Sequence, residues 1–304
     1  MAVNEHRFAR HAEVVAALAD PALVPVEPPE EAGVDRDAVG SAAWLRAHVA
    51  RFAHGSAHAR RRAVIEAELA RLDEDGLGRA AAECARKAGE GADPRVVAVQ
   101  ALAGELGLPG PDAVAADVAL VSGVYFGGSD PAADEAVARL VAAHRARAEA
   151  GAAGDVGAGG GGASDGEVLA NRISILVQAF EATGSLVERA RAAAVEYGVE
   201  GADGADGVGG LVYETLRHDP PVAAMRRTAL RATSVAGVEI AAGDLVTLDI
   251  AAANRDPEVF DRPEEFDAGR GETPLLTYGS APRRCPGVGQ SLALAVGIVE
   301  VGDR

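Results

Sequence analysis

Apolar positions recur at helical spacing along most of the chain. The first such stretch, EVVAALADPALVPVEPPEE (residues 13–31), reads as a short amphipathic helix closed by a proline-rich loop. AAWLRAHVARFAHGSAHARRRAVIEAELARLDEDG (42–76) predicts a helix, a break at His54-Gly55-Ser56, and a second helix. Ala, Glu and Arg dominate it, and these are strong helix formers. From about Arg79 to Ala150 the pattern is helical in several pieces, split by GLPGPD (107–112) and YFGGSDPAADE (125–135). Within that span AADEAVARLVAAHRARAEA (132–150) is plainly amphipathic.

The glycine-rich run at 151–166 reads as a flexible linker. It lacks the G-x-x-x-x-G-K-[ST] pattern, so its glycines do not make a phosphate-binding loop. A long helix is expected next, EVLANRISILVQAFEATGSLVERARAAAVEYG (167–198). It is apolar on most sides through ISILVQAF, which predicts that it crosses an interior. A second Gly/Asp-rich break, VEGADGADGVGG (199–210), leads to a helix that stops at Pro220-Pro221. Only then does the pattern turn to strand. VAGVEIAAGDLVTLDIAAANRD (235–256) is rich in β-branched residues, with a hairpin-like turn at Ala242-Gly243-Asp244. The expectation is a mainly α fold with a small β region late in the chain, organised as one domain over 1–304. No internal repeat is present.

Composition narrows the function classes. Net charge is −17, which argues against a nucleic-acid groove or an anionic membrane surface as the main partner. Cationic charge is nearly all arginine, since Lys87 is the single lysine, and it clusters at Arg60–Arg62, Arg226–Arg227 and Arg283–Arg284. Aromatics are only 4%, so the core must be mostly Ala, Val and Leu. MAVNEHRFARHAEVV has no apolar core of a signal peptide, and no apolar run is long enough to span a bilayer; a cytoplasmic location is expected.

Three constellations carry candidate chemistry. Glu214 and Arg217 lie three apart and share a helix face. Alone they read as a surface pair, but Leu211, Val212 and Leu216 imply partial burial, and a buried pair needs further partners. Gln178, Glu181 and Thr183 are polar residues in an apolar helix. Glu181 either lies on an exposed edge or meets a partner, water or a cavity at a distorted turn. The third is Cys285, in a Gly/Pro-rich loop at the mouth of a helix; Cys84, the other cysteine, reads as a small packed residue. A helix N-terminus and Arg283/Arg284 both favour a Cys285 thiolate. A nucleophile would want a His base, and a zinc site would want more Cys or His; no His follows His218. A lone thiolate ligand suits an iron already held by a macrocycle, as in heme with an axial Cys.

The order ETLR, DPPV with a following arginine, NRDPEVFDRPEEFD and YGSAPRRCPG resembles the cytochrome P-450 superfamily, with its Glu-x-x-Arg helix, meander and Phe-x-x-Gly-x-x-x-Cys-x-Gly loop. HARRRAVIE resembles the family's His/Trp-x-x-x-Arg helix, and QAFEAT stands where the oxygen-activating helix should be. The resemblance runs from about His6 to the end. It implies heme b as cofactor, with Cys285 as axial ligand to iron. Glu214 and Arg217 would be a structural buried pair. His58, Arg62, Arg227 and Arg283 would pair with the heme propionates, and Glu181 and Thr183 would be catalytic. The implied activity is a monooxygenase or oxidase on a small organic molecule, in secondary metabolism, fed by a ferredoxin-type partner docking on a positive face near Arg283 and Arg284; a monomer is expected.

The sequence departs from that pattern at named places. Tyr278 replaces Phe and Ala281 replaces Gly in the cysteine loop. Glu265 takes a meander place often held by Arg, for which Arg270 can substitute. The threonine expected after the helix acid is Ala182, with Thr183 one residue late. The N-terminal part of the family's first sheet and its final strands are expected to be missing. Peroxide-driven or coupling-type chemistry, or a degenerate shell that serves as a binding protein, therefore stay open beside the monooxygenase.

Overall fold

The computed structural model describes residues 3–28, 35–151, 162–199 and 205–302. Most of the linker expected at 151–166, and positions 200–204 of the second Gly/Asp-rich break, lie outside these residues. The chain divides into two compact units, each discontinuous in sequence: residues 1–26 with 186–288, and residues 27–185 with 289–302.

The first unit is built on a four-stranded sheet, β1 (Glu5–Phe8), β2 (Leu23–Pro25), β3 (Ala224–Ala229) and β6 (Leu245–Asp249), in the order β1-β6-β3-β2. β1 runs parallel to β6, with Phe8 opposite Leu248; β3 is antiparallel to both β6 and β2. Phe8, Leu23, Val246 and Leu248 bury one apolar layer with Val14 and Leu18 of α1 (His11–Ala19). Of the two early strands, β2 lies in what was expected as loop, and β1 precedes the first stretch that the pattern assigned. Each is three or four residues long, too short to show an alternation of its own, and forms only by pairing with β6 or β3.

A second correction concerns the hairpin. β4 (Thr233–Val235) pairs with β5 (Val238–Ile240) through Ala236-Gly237, both at positive φ, 51° and 81°. That is the backbone a two-residue hairpin requires. Ala242-Gly243-Asp244 instead hands the chain from this hairpin to the large sheet, with the Ala241 N–H donating to the Asp244 carboxylate at 3.0 Å. The unit is completed by the C-terminal part of α8 (Asp165–Tyr197), by α9 (Ala205–His218), which starts inside the Gly-rich break, and by the short α10 (Ile250–Ala253).

The second unit is helical: α2 (Ala42–His48), a 3₁₀ turn at Ala50–Phe52, α3 (Gly55–Leu69), α4 (Glu74–Ala88), α5 (Pro94–Glu105), α6 (Pro111–Ser122), α7 (Pro131–Glu149), the N-terminal part of α8, and α11 (Val288–Gly302). The splits before α6 and α7 fall as expected, whereas the break expected at residues 54–56 comes at Ala53-His54, with Gly55 and Ser56 already in α3. Asp93-Pro94 and Asp130-Pro131 set two starts: the aspartate accepts an N-terminal N–H at 2.8 and 2.9 Å, and the proline occupies a position that needs no donor. With few aromatic residues, the helices pack closely on Ala and Gly. A Cβ at Gly184 would come within 2.9 Å of the Arg95 backbone, so α8 passes α5 at a distance only glycine permits.

Candidate functional site

In the first unit, α9 places Glu214 and Arg217 one turn apart and wholly inside, at 2% and 0% exposure. Arg217 forks onto the carboxylate, Nε to Oε2 at 2.9 Å and Nη2 to Oε1 at 2.6 Å. Its remaining donors reach the carbonyls of Asn254 (3.2 Å), Pro263 (2.7 Å) and Glu265 (2.9 Å). Arg270 Nε donates to Glu214 Oε1 at 3.2 Å, and the Asp267 N–H to the same oxygen at 3.0 Å. The further partners a buried pair demands are thus the meander backbone and a second arginine. The Glu265 side chain turns outward to Arg262 at 2.7 Å, so Arg270 is the meander arginine of this chain.

Two residues that sequence reading passed over carry this rigidity to the cysteine loop. Asn254, fully buried, donates to Leu216 O (3.3 Å) and Thr277 Oγ1 (2.9 Å) and accepts from the Leu276 N–H (2.7 Å). The Thr277 hydroxyl donates to Leu216 O at 2.6 Å. The buried carbonyl end of α9 is thereby joined to the segment that begins the loop. The signal was the Asn heading NRDPE and the Thr before Tyr278, but neither shows a partner in one dimension.

The loop is held by its own backbone: Gly279 N–H to Leu276 O (2.8 Å), Arg283 N–H to Ser280 O (3.0 Å) and Cys285 N–H to Tyr278 O (2.8 Å). Gly279 takes the positive φ, 70°, whereas Ala281 is not among the non-glycine residues that do, so the Ala281 departure needs no strained backbone. Cys285 is exposed, three residues before α11 begins. Arg283 is half-buried and Arg284 exposed. Arg227 lies buried on β3, donating to Arg226 O at 2.9 Å.

The second unit holds the other expected residues. His58 and Arg62 share one face of α3, half-buried, and Arg62 also pairs with Glu66 at 2.7 Å. The neighbouring Arg60 and Arg61 both grip Glu167, at 2.7–2.9 Å. Their hydrogen bonds hold the Glu167 carboxyl at about 2, well below the usual range. Two of the three clustered arginines therefore fasten α3 to the start of α8. Thr183 is buried, at 1% exposure. Glu181 is not: its side chain is 62% exposed and accepts from Arg95 Nε at 3.1 Å. α8 runs as unbroken α-helix through Glu181-Ala182-Thr183, without the distorted turn that would have turned the acid inward. Cys84 is half-buried on α4, and burial pushes its thiol up, as a packed residue requires.

A family model described as "Cytochrome P450" matches residues 210–293, the span of the Glu214–Arg217 helix, the meander and the cysteine loop. That segment resembles the cytochrome P450 family, and the fold of the whole chain is that of solved cytochrome P450 structures. Among curated P450 relatives, it is 34% identical over 137 residues to the 20-oxo-5-O-mycaminosyltylactone 23-monooxygenase of Streptomyces fradiae, covering 44% of this chain and 32% of that protein. It is 38% identical over 86 residues to the biotin biosynthesis cytochrome P450 of Bacillus subtilis, 28% of this chain and 21% of that one. The matches thus span a third or less of these relatives' length. The P450 fold extends much further: the structure of P450BioI with an acyl-carrier-protein-bound hexadecenoic acid aligns at a TM-score of 0.77 and 20% identity, over 97% of this chain and 84% of that one. CalO2 aligns at 0.78 and 22%, over 98% and 82%.

The residues present fit a heme. Among the described residues no group of three or more His, Cys, Asp or Glu could hold a bare metal ion. A single exposed thiol on a braced loop is the donor set for an iron that brings its other ligands with it.

Proposed function

We propose that this chain is a heme-thiolate monooxygenase acting on a small organic molecule. The observation that carries the reading is the exposed Cys285 on a loop braced through Thr277 and Asn254 to the buried Glu214–Arg217–Arg270 network. Heme b held there would supply reductive activation of dioxygen. The chain's own part is to present the Cys285 sulfur as thiolate, which the following helix N-terminus and Arg283/Arg284 favour. His58, Arg62, Arg227 and Arg283 would pair with the propionates, whose carboxylates match arginine forks. Buried Thr183 would hand protons inward. Electrons would come from a ferredoxin-type partner docking near Arg283 and Arg284, with a rate that falls as salt rises. Relatives named for macrolide oxidation support a role in secondary metabolism. We place the protein in the cytoplasm as a monomer; no helix among the described residues is long and apolar enough to cross a membrane.

The test is the CO difference spectrum of the heme-loaded, reduced protein. A red-shifted Soret band that disappears in Cys285→Ala is expected; a spectrum of histidine ligation or free heme would overturn the proposal. A second, peroxide-driven reading is favoured by one observation, that Glu181 faces outward to Arg95 and Ala182 follows it. It predicts turnover with hydrogen peroxide at least as fast as with reduced ferredoxin.

A further inference from the structure

Arg51, in the 3₁₀ turn before α3, is a half-buried arginine without an acid. Several other buried or half-buried guanidiniums meet an acid or carbonyls: Arg46 two carbonyls, Arg60 and Arg61 Glu167, Arg217 Glu214 and the meander, Arg147 Glu68. Among the described residues Arg51 meets no carboxylate and no carbonyl, in a chain with 46 Asp and Glu. Its neighbours are rings instead. The guanidinium carbon stands 5.6 Å from the ring centres of both Phe52 and Phe126. Phe52, Tyr125 and Phe126 pack on one another at 5.3–6.0 Å. Burial pulls the Arg51 pKa down.

Two further features point to a ligand. The Tyr125 hydroxyl is buried and makes no hydrogen bond of normal geometry; its polar neighbour is the Ser174 hydroxyl, which donates to Asn171 O at 2.9 Å. Phe126, 62% exposed, is not a stray loop residue, because Arg46 grips the carbonyls of Val124 and Gly128 on either side of it, at 2.9 and 3.2 Å. Ring faces stabilise the cation but accept none of its five N–H bonds, which are left to solvent or a ligand. A carboxylate accepting from two of those donors would satisfy them, and an apolar body beside it would cover Phe126.

We propose that Arg51, Phe52, Tyr125 and Phe126 form a recognition site for a small molecule with a carboxylate next to an aromatic or apolar body. This rests on the reading of the chain as a P450 that takes a small substrate, and names that substrate's class. All four residues lie in the second unit.

The test is calorimetric titration of the full, heme-loaded chain with 4-phenylbutyrate, N-acetylphenylalanine, the methyl ester of each, and phenyl phosphate. The acids should bind at least tenfold more tightly than their esters. Arg51→Met should reduce that preference below twofold, and Arg51→Lys, which keeps charge but not the fork, should give an intermediate value. Equal binding of acid and ester by the wild type, or no measurable binding of either acid, overturns the proposal. So does a preference for phenyl phosphate over both acids, or an acid preference that survives in folded Arg51→Met. The wild-type comparison stands even if that variant does not fold. The CO spectrum of the same samples separates the two claims: a lost thiolate band with retained acid preference sinks only the heme-thiolate reading, and the converse sinks only this one.

Discussion

Glu214→Gln isolates what the buried network contributes. In the wild type one carboxylate oxygen accepts from Arg217, Arg270 and the Asp267 N–H, and the other from Arg217. Glutamine keeps the shape but removes the charge, and its NH₂ turns a donor towards a donor. Arg217, with 0% exposure, is then a buried cation faced only by carbonyls. Removing one member of a buried pair costs about 3–5 kcal/mol, a large part of the roughly 5–15 kcal/mol that holds a domain together. Arg270→Met is the control. It leaves the Glu214–Arg217 fork intact and removes one 3.2 Å charged hydrogen bond, with three carbonyl contacts to Asp261, Arg262 and Glu265, so about 1.5–3 kcal/mol is expected. Urea unfolding followed by far-ultraviolet circular dichroism should rank wild type, Arg270→Met, then Glu214→Gln. A loss under about 1 kcal/mol for Glu214→Gln, or a reversed order, would refute the account of the network as one carboxylate shared by two arginines. Glu265→Arg, which restores the usual meander residue, should change stability by no more than about 1 kcal/mol, because the side chain it replaces makes only an exposed pair with Arg262.

Asn254→Ala deprives the Leu276 N–H of its acceptor and should cost about 1–3 kcal/mol in urea unfolding, while lowering the fraction of heme carrying the thiolate band more than its total heme content. Gly184→Ala forces a methyl against Arg95 and should cost about 1–3 kcal/mol; unchanged unfolding would mean that α5 and α8 are not closely packed. The fully buried His144 has its pKa pushed down to about 3 by burial, and by Arg147 and Arg172 secondarily. The unfolded chain therefore takes up this proton first, and stability should fall as pH drops from about 6.5 towards 3. His144→Phe should flatten the stability curve across that window. Glu167, held at about 2 mainly by Arg60, acts lower: its contribution is complete above the ordinary carboxylate pKa and is lost as pH falls towards 2, so Glu167→Gln should flatten only the acid limb.

Most of the helical frame was legible because its signals are local. Asp93-Pro94 and Asp130-Pro131 start helices wherever they stand, and the apolar run of α8 reads as buried with no knowledge of what covers it. The two early strands were not legible. Leu23–Pro25 and Glu5–Phe8 are strands only because β3 and β6, more than two hundred residues on, supply their hydrogen bonds. The hairpin was misplaced for a related reason: Ala242-Gly243-Asp244 is as good a turn locally as Ala236-Gly237, and only the sheet's strand order separates them.

The site divides along the same line. Motif order in one dimension was enough to pair Glu214 with Arg217 and to single out Cys285, since the former share a helix turn and the latter stands at a helix start. What joins them is long-range: Asn254, Thr277 and Arg270 act through contacts 22 to 61 residues apart in sequence. That brace ties the start of the cysteine loop to α9. The acid of α8 has the opposite standing. Glu181 keeps its place in the motif, yet an unbroken helix and Arg95 turn it to solvent. A carboxylate so placed cannot hand a proton inward without leaving its partner, whereas Thr183, one residue past the usual position, is already inside. The proposed function, with Cys285 as ligand and Thr183 on the proton path, predicts that substitution at Thr183 alters the efficiency of oxygen use, while substitution at Asn254 alters the ligand itself.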